Sequence, residues 1–314
     1  MVQSDTTGGG DAEDVEAGPS LKYAAEPALP QKAPEGIAAV TRSSPSIQRA
    51  APAALLLALL STVPAVAVDP AVQDTKAAAQ RRAQPARGPA KGRGYDTGID
   101  VSHWQSYIRW RRVASDGIDF AIVKATDGTW MKDHWYDRNK ARAEKVGLKF
   151  TAYHFARPGR QGGGVRNDAR LEAKYFLRRA DLTPRNLAPV LDIEVSGGLG
   201  SSALRRWTLT WLRHVERRLD VEPMIYTSPG FWTGRVGNTR AVARAGFEVL
   251  WVAHYGTRRP SVPARRWHGN GWSIWQWTKC GRVRGVGGCV DRNYYRGRDI
   301  SDLTIRKLSK ATAR

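Results

Sequence analysis

Four acidic residues stand at the ends of short β-branched or aromatic runs. Asp100 lies in Gly98-Ile99-Asp100-Val101-Ser102, Asp192 and Glu194 in Pro189-Val190-Leu191-Asp192-Ile193-Glu194, and Asp291 in Cys289-Val290-Asp291-Arg292-Asn293. Side chains alternate faces along a strand, so Asp192 and Glu194 are expected to point the same way. Two carboxyls facing one space beyond an apolar strand are costly to place unless they do chemistry or bind a cation. A hydrolase driven by carboxyl groups is the chemistry this pattern suits.

Apolar runs predict the strands that would carry these acids: Ile99–Ser102, Phe120–Ala125, Phe150–Phe155, Val190–Glu194, Met224–Thr227, Val249–His254 and Ser273–Trp277, with an eighth short strand at Asp291. Helical patterns alternate with the first five. Trp135 to Val146 is closed by Gly147, and Arg166 to Ala180 repeats Leu171, Tyr175 and Phe176. Ser202 to Leu219 has Ser201 or Ser202 at its N-cap and Trp207, Trp211, Leu212, Val215 and Leu219 on one face. Later connections lack clear helices. The fold class expected is α/β: a closed, TIM-like (β/α) barrel, irregular in its last third, forming a single catalytic domain. A doubly wound open sheet is the alternative, but Ser102-His103-Trp104-Gln105 replaces the Gly-rich phosphate turn such a sheet carries after its first strand. In a barrel the first and last strands are neighbours, so Asp100 and Asp291 should meet. The fourth strand would face them across the mouth.

The 314-residue chain carries a net charge of +21. Residues 1–67 hold seven acids and four bases, so the remainder holds 46 Lys+Arg against 22 Asp+Glu, a net of +24. Such a body expects an anionic partner: nucleic acid, a membrane surface or a polyanionic wall. The arginines are spread over many helical faces and no nucleic-acid motif is present, so no specific nucleic acid is expected. Cys280 and Cys289 flank a Gly-rich stretch with neither a second Cys pair nor a close His pair, which argues against a metal site. They are either two buried thiols or, if the protein is exported, a disulfide clamping a loop. No metal and no cofactor is expected.

Export is expected from Arg42 and Arg49 followed by the apolar core Ala53–Leu60 and the small residues up to Ala67. That core is short for a spanning helix, which needs roughly 20 residues. The residues ahead of it are too many for an ordinary n-region, so either translation starts downstream, the reading adopted, or the segment is an uncleaved anchor. The organisation expected is a disordered or mis-annotated extension over 1–48, a signal peptide over 49–67 and a basic Ala/Pro-rich linker over 68–94. A catalytic domain over 95–305 and a basic tail over 306–314 follow.

From Tyr95 to about Leu303 the chain resembles the lysozymes of glycoside hydrolase family 25, the Chalaropsis-type N-acetylmuramidases. The resemblance rests on the order and spacing of Gly98–Gln105, Phe120–Thr129, Asn139, Ala152–Phe155, Leu191–Glu194, Ile225–Thr227, Trp251–Ala253, Trp275–Thr278 and Gly288–Asn293. It implies cleavage of the β-1,4 bond between N-acetylmuramic acid and N-acetylglucosamine in peptidoglycan. The family's Asp-x-Glu pair falls on Asp192 and Glu194, and its other mouth carboxylates on Asp100 and Asp291. Asp127 departs from the pattern, standing where relatives commonly have Glu. The Cys280–Cys289 pair brackets a loop that many relatives leave unbridged.

Glycoside cleavage requires a protonated carboxyl for the leaving oxygen and a negative group beside the oxocarbenium-like transition state. Glu194 suits the acid, because neighbouring carboxylates raise its pKa. Asp192 would stabilise an oxocarbenium transition state or orient the substrate's own 2-acetamido group. Asp100 and Asp291 would tune the protons or hold a water. Tyr153, Tyr226, Trp251 and Trp275, at or near strand ends, are the expected sugar-binding surfaces, whereas Trp207 and Trp211 are assigned to core packing. His103 and His154 are read as hydrogen-bonding supports, and Gln276, between two tryptophans, as facing away from them. The protein is expected to be a secreted, wall-associated monomer without stable membrane insertion once its signal is cleaved. Three rivals remain: a family 18 chitinase, whose acid positions here hold Leu187 and Val190, a catalytically silent peptidoglycan-binding module, and a secreted nucleic-acid binder, which rests only on charge.

Overall fold

The structure, a computed structural model, describes residues 95–309. The signal, the linker and the end of the basic tail lie outside the described residues. Nine strands form one sheet: β1 (Asp96–Val101), β2 (Phe120–Asp127), β3 (Met131–Lys132), β4 (Lys149–Phe155), β5 (Val190–Asp192), β6 (Met224–Thr227), β7 (Leu250–Ala253), β8 (Ile274–Gly281) and β9 (Val290–Tyr295). Strands β1, β2, β4, β5, β6, β7 and β8 run parallel to one another, and β9 closes the ring between β8 and β1. The eight-stranded barrel is therefore mixed, because β9 is antiparallel to both neighbours. Strand β3, not expected from the sequence, is a two-residue hairpin appended to β2.

Period-two alternation divides the apolar residues into two cores. Ile99, Val101, Ala121, Val123, Leu191, Ile225, Val252 and Trp275 point outward beneath the helices. Phe120, Ile122, Val190, Met224, Tyr226, Trp251, Ile274 and Tyr295 fill the barrel interior. Gly98 belongs to that interior: a Cβ there would lie 2.3 Å from the Phe120 ring, so the filled barrel leaves room only for hydrogen.

Three long helices cover the sheet: Tyr136–Lys145, Val165–Ala180 and Ser201–Leu219. Gly147, φ +82°, follows the first as expected. In the second, the buried face is Val165, Asp168, Ala169, Glu172, Ala173, Phe176, Leu177 and Ala180. Leu171, expected on it, is instead exposed at the surface, because Asp168 and Glu172 occupy the inner face as hydrogen-bond acceptors. The third helix buries Trp207, Trp211, Leu212 and Val215 as expected, but its N-cap is Gly200, with no side-chain cap from Ser201 or Ser202. Short helices Trp110–Ser115, Pro229–Arg235 and Ala241–Arg244 fill connections where the sequence pattern was too brief to read. Among the described residues, no helix is long and apolar enough to cross a membrane.

Candidate active site

At the carboxyl ends of the parallel strands the inward alternation continues, but the side chains become polar. On β1 it runs from Gly98 to Asp100, on β2 from Ile122 to Lys124, on β5 from Val190 to Asp192 and on β8 from Ile274 to Gln276. Strand β9 runs the other way, so its inward series reads Asp291, Asn293, Tyr295 from mouth to interior. Asp291 thus reaches the mouth from the amino end of its strand. These groups surround a cavity of about 290 Å³ whose lining includes Asp100, Asp192, Glu194 and Asp291. Four acids separated by up to 191 positions share one space.

Asp100 and Asp291 are directly opposed in the β1–β9 register. Asp100 is buried and accepts from Asn293 Nδ2 at 2.7 Å and from Gln276 Nε2 at 3.0 and 2.9 Å on its two oxygens. Burial raises its pKa to about 6, with these donors pulling the other way. Asp291 is raised further, to about 9, by burial and then by the adjacent Asp100 charge. The two carboxyls hydrogen-bond to each other, which requires one proton between them. Asp100, with its amide donors, is the better anion, so Asp291 holds the proton.

Strand β5 ends at Asp192, and Glu194 follows in the loop. The strand argument for their common direction therefore does not extend to Glu194, yet both line the cavity. Asp192 is buried, and its Oδ1 has no hydrogen-bond partner among the described residues. Burial raises its pKa well above the ordinary range, the Glu194 charge adds to this, and Lys124 opposes it. Glu194 stands at the open rim. Its pKa is also raised, by burial of its inner side, against Lys124 and Arg157. Lys124 Nζ binds Asp127 Oδ2 at 2.7 Å, and Arg157 Nε binds Asp127 Oδ1 at 2.6 Å. Burial works to raise Asp127, but these two cations outweigh it and hold the carboxyl below its usual range. Asp127 thus serves as an anchor for two cations beside the acid pair.

Of the expected aromatic surfaces, Tyr153, Tyr226 and Trp251 line the cavity. Trp275 does not. It is buried on the outer face of β8 with its Nε1 donating to His254 O at 2.8 Å. Alternation decides this: with Gln276 inside, its neighbour must point out. Gln276 accepts from Tyr226 Oη at 2.9 Å and from Tyr255 Oη while donating to Asp100, so it joins the aromatic wall to the carboxyl pair. Trp251 Nε1 donates to Asn293 Oδ1 at 2.8 Å. Gln276 faces away from Trp275 and Trp277, as expected, and into the cavity; Lys124, Tyr255, Asn293 and Trp104 had no role assigned from the sequence. A lysine at an inward position of the fully buried strand β2 was the available signal for Lys124. Trp104, 81 % exposed, forms part of the rim. Its neighbour His103 binds Asp133 Oδ2 at 2.8 Å through Nδ1. His154 is enclosed by Thr126 Oγ1 at 2.8 Å and Glu172 Oε2 at 2.7 Å.

Cys280 and Cys289 form a disulfide, with Cα atoms 4.3 Å apart. The loop they close packs on the Trp110–Ser115 helix. Arg109 N donates to Gly285 O at 2.8 Å and Arg284 N to Asp116 Oδ2 at 3.0 Å. Gly285 holds φ +101°, and a Cβ there would meet Arg109 O at 2.6 Å. The bridge therefore closes the β8–β9 connection that leads into Asp291, and the loop within it rests on the Trp110–Ser115 helix.

Comparison with known proteins gives a consistent picture. The family model described as glycosyl hydrolases family 25 matches residues 99–286. Asp100, Asp192 and Glu194 fall inside the match, and Asp291 lies just beyond it. Lysozyme M1 of Streptomyces globisporus is 37% identical over 219 residues, covering 67% of this chain and 70% of the relative. The N,O-diacetylmuramidase of Chalaropsis sp is 26% identical over 194 residues, covering 57% and 86%. Among solved structures, the bacterial lysozyme from Streptomyces coelicolor aligns with a TM-score of 0.60 at 34% identity, covering 69% of this chain and 98% of that one.

Proposed function

The chain belongs to glycosyl hydrolase family 25 and is a glycoside hydrolase of the lysozyme type, and on that footing we propose that it is a secreted muramidase acting on peptidoglycan. Its bond is the β-1,4 link between N-acetylmuramic acid and N-acetylglucosamine. The observation that carries this reading is the pairing of a rim carboxyl, Glu194, with a buried one, Asp192, in a cavity walled by Tyr153, Tyr226 and Trp251.

Glu194 is the general acid. Its raised pKa keeps a proton available, and its place at the rim lets it reach the leaving oxygen of a glycan lying across the mouth. Asp192 faces the positive charge that develops at the anomeric carbon. Before substrate binds, its burial favours the neutral form. A developing cation reverses that preference, so the reacting form has Asp192 ionised and the proton on Glu194. Lys124, fixed by Asp127, favours the ionised form of either carboxyl and so supports a negative charge on Asp192 facing the developing cation. The substrate's 2-acetamido oxygen, oriented by Asp192, attacks the anomeric carbon as the glycosidic bond breaks and the leaving oxygen takes the Glu194 proton. Water, giving a proton back to Glu194, then opens the oxazolinium ring to the free reducing end. The Asp100–Asp291 pair stands across the mouth as a proton-bearing wall, outside the primary step.

Purified wall sacculi provide the test. The protein should lower their turbidity and release muramic acid reducing ends. Glucosamine reducing ends would identify a glucosaminidase instead. Binding to sacculi with no new reducing ends would leave only a wall-binding module.

A further inference from the structure

A second concave site is formed by the Trp110–Ser115 and Tyr136–Lys145 helices and the residues leading into the first of them. It has a volume of about 400 Å³ and is lined by Tyr107 and five cations, Arg109, Arg111, Arg138, Arg142 and Lys145, with no Asp or Glu in its wall. Arg138, Arg142 and Lys145 share one face of the Tyr136–Lys145 helix through their i, i+4, i+7 spacing. Arg109 and Arg111 approach from the start of the Trp110–Ser115 helix, which the disulfide loop holds through Gly285. The Arg138 guanidinium lies 4.0 Å from the Tyr107 ring centroid and its Nη1 donates to Ile108 O at 3.4 Å, which hold it at the groove wall. None of the five cations has an ion-pair partner among the described residues.

Such a gathering of like charge raises the energy of the free protein, and diffuse surface charge has no need of a concave wall. Four of the five cations are exposed and Arg138 is half-buried, so the groove is open to a ligand. One of its lining residues, Tyr107, is three residues from the rim residue Trp104, a reach of at most about 11 Å.

We infer that this groove binds the phosphate groups of a phosphodiester-linked polymer attached to the cell wall. Guanidinium forks suit phosphate oxygens. Arg138, Arg142 and Lys145 are displaced by about 6 Å and then about 4.5 Å along the helix axis, a short spacing that suits an anion carried once per short backbone repeat. The carboxylates of peptidoglycan stems are spaced more widely, one stem to a sugar pair. The groove would hold the enzyme on its substrate while the cavity cleaves, so this inference rests on the muramidase reading above for its biological purpose but not for its binding chemistry.

The experiment compares the full-length protein with a variant carrying Arg109→Gln, Arg111→Gln, Arg142→Gln and Lys145→Gln. A control variant carries Arg178→Gln, Arg206→Gln, Arg213→Gln and Arg217→Gln, exposed arginines on other helices. Binding is measured to sacculi retaining phosphodiester polymers, to the same sacculi stripped of them by acid, and to a soluble linear polyphosphate. The groove variant should bind intact sacculi and polyphosphate at least about tenfold more weakly. Its salt dependence should be shallower by about one unit of log–log slope for each phosphate it no longer neutralises. Its kcat on stripped sacculi should be unchanged, with the effect confined to KM on intact ones. Equal weakening in the control variant, or no difference between intact and stripped sacculi, overturns the inference. So does a groove that binds short duplex DNA but not wall polymer. If no variant, nor the parent, releases reducing ends while polyphosphate binding still depends on the groove, the muramidase reading fails and the groove stands.

Discussion

Asp100 and Asp291 are register partners across the antiparallel β1–β9 ladder, so two carboxyls that are 191 positions apart in the chain share a proton at the barrel mouth. The arrangement depends on β9 running against its neighbours, which brings the amino end of that strand to the catalytic rim. Asn293, two residues on, then faces the same way and donates to Asp100.

This pair makes stability depend on pH in a defined direction. Both groups are raised above the ordinary carboxylate range, so the folded protein holds their protons more tightly than the unfolded chain. Their contribution is full below about pH 4 and is lost as pH rises, through about 6 for Asp100 and about 9 for Asp291. Asp291→Asn, neutral at every pH, should flatten the fall in Tm across that window and raise Tm at the alkaline end relative to the parent. A Tm-against-pH curve identical to the parent's would contradict the shared proton.

Catalysis should separate the two acid pairs. Glu194→Gln should keep the fold and lose activity by about 10²–10⁴-fold or more, as expected for removing a general acid. Asp192→Asn should be severely impaired as well. Asp100→Asn and Asp291→Asn should lose less and displace the pH profile. Near-normal turnover by a folded Glu194→Gln protein, verified by circular dichroism, would sink the assignment.

The two tryptophans at opposite ends of the exposure scale should behave oppositely. Trp104→Ala removes an exposed rim surface and should raise KM on sacculi with little change in Tm. Trp275→Ala empties a site in the outer core and should cost about 3–5 kcal/mol of stability. Its hydrolysis per folded molecule should stay near that of the parent. A loss of substrate affinity in Trp275→Ala without loss of stability would return that residue to the binding surface.

The Cys280–Cys289 bridge closes a short loop, and its removal should cost about 2–3 kcal/mol by chain entropy. Because Gly285 in that loop supports Arg109, a Cys280→Ser, Cys289→Ser protein should also bind polyphosphate more weakly. Mass spectrometry of exported protein checks the bridge and the expected mature start near Val68 together. Two thiols alkylated before reduction would count against the first, and an intact amino terminus against the second.

Composition and alternation were enough to indicate the barrel, its long helices and the four acids, because each is a local statement: a strand's period, a helix's face, a carboxyl at the end of an apolar run. Trp207 and Trp211 could be assigned to the core for the same reason. What the chain could not declare was which face of each strand lies inside. Trp275 and Gln276 are both acceptable on either side of β8 until the barrel closes, and closure alone sends the glutamine to Asp100 and the tryptophan outward. Lys124 and Tyr255 are ordinary residues until strands far apart in sequence bring them to one cavity, and Asn293 until closure sets it against Asp100. The direction of β9 was equally silent, since a six-residue strand reads alike in both directions. Local periodicity is encoded in neighbours along the chain. The proton sharing, the anchored cations and the basic groove arise from distances between residues that only the folded packing makes short.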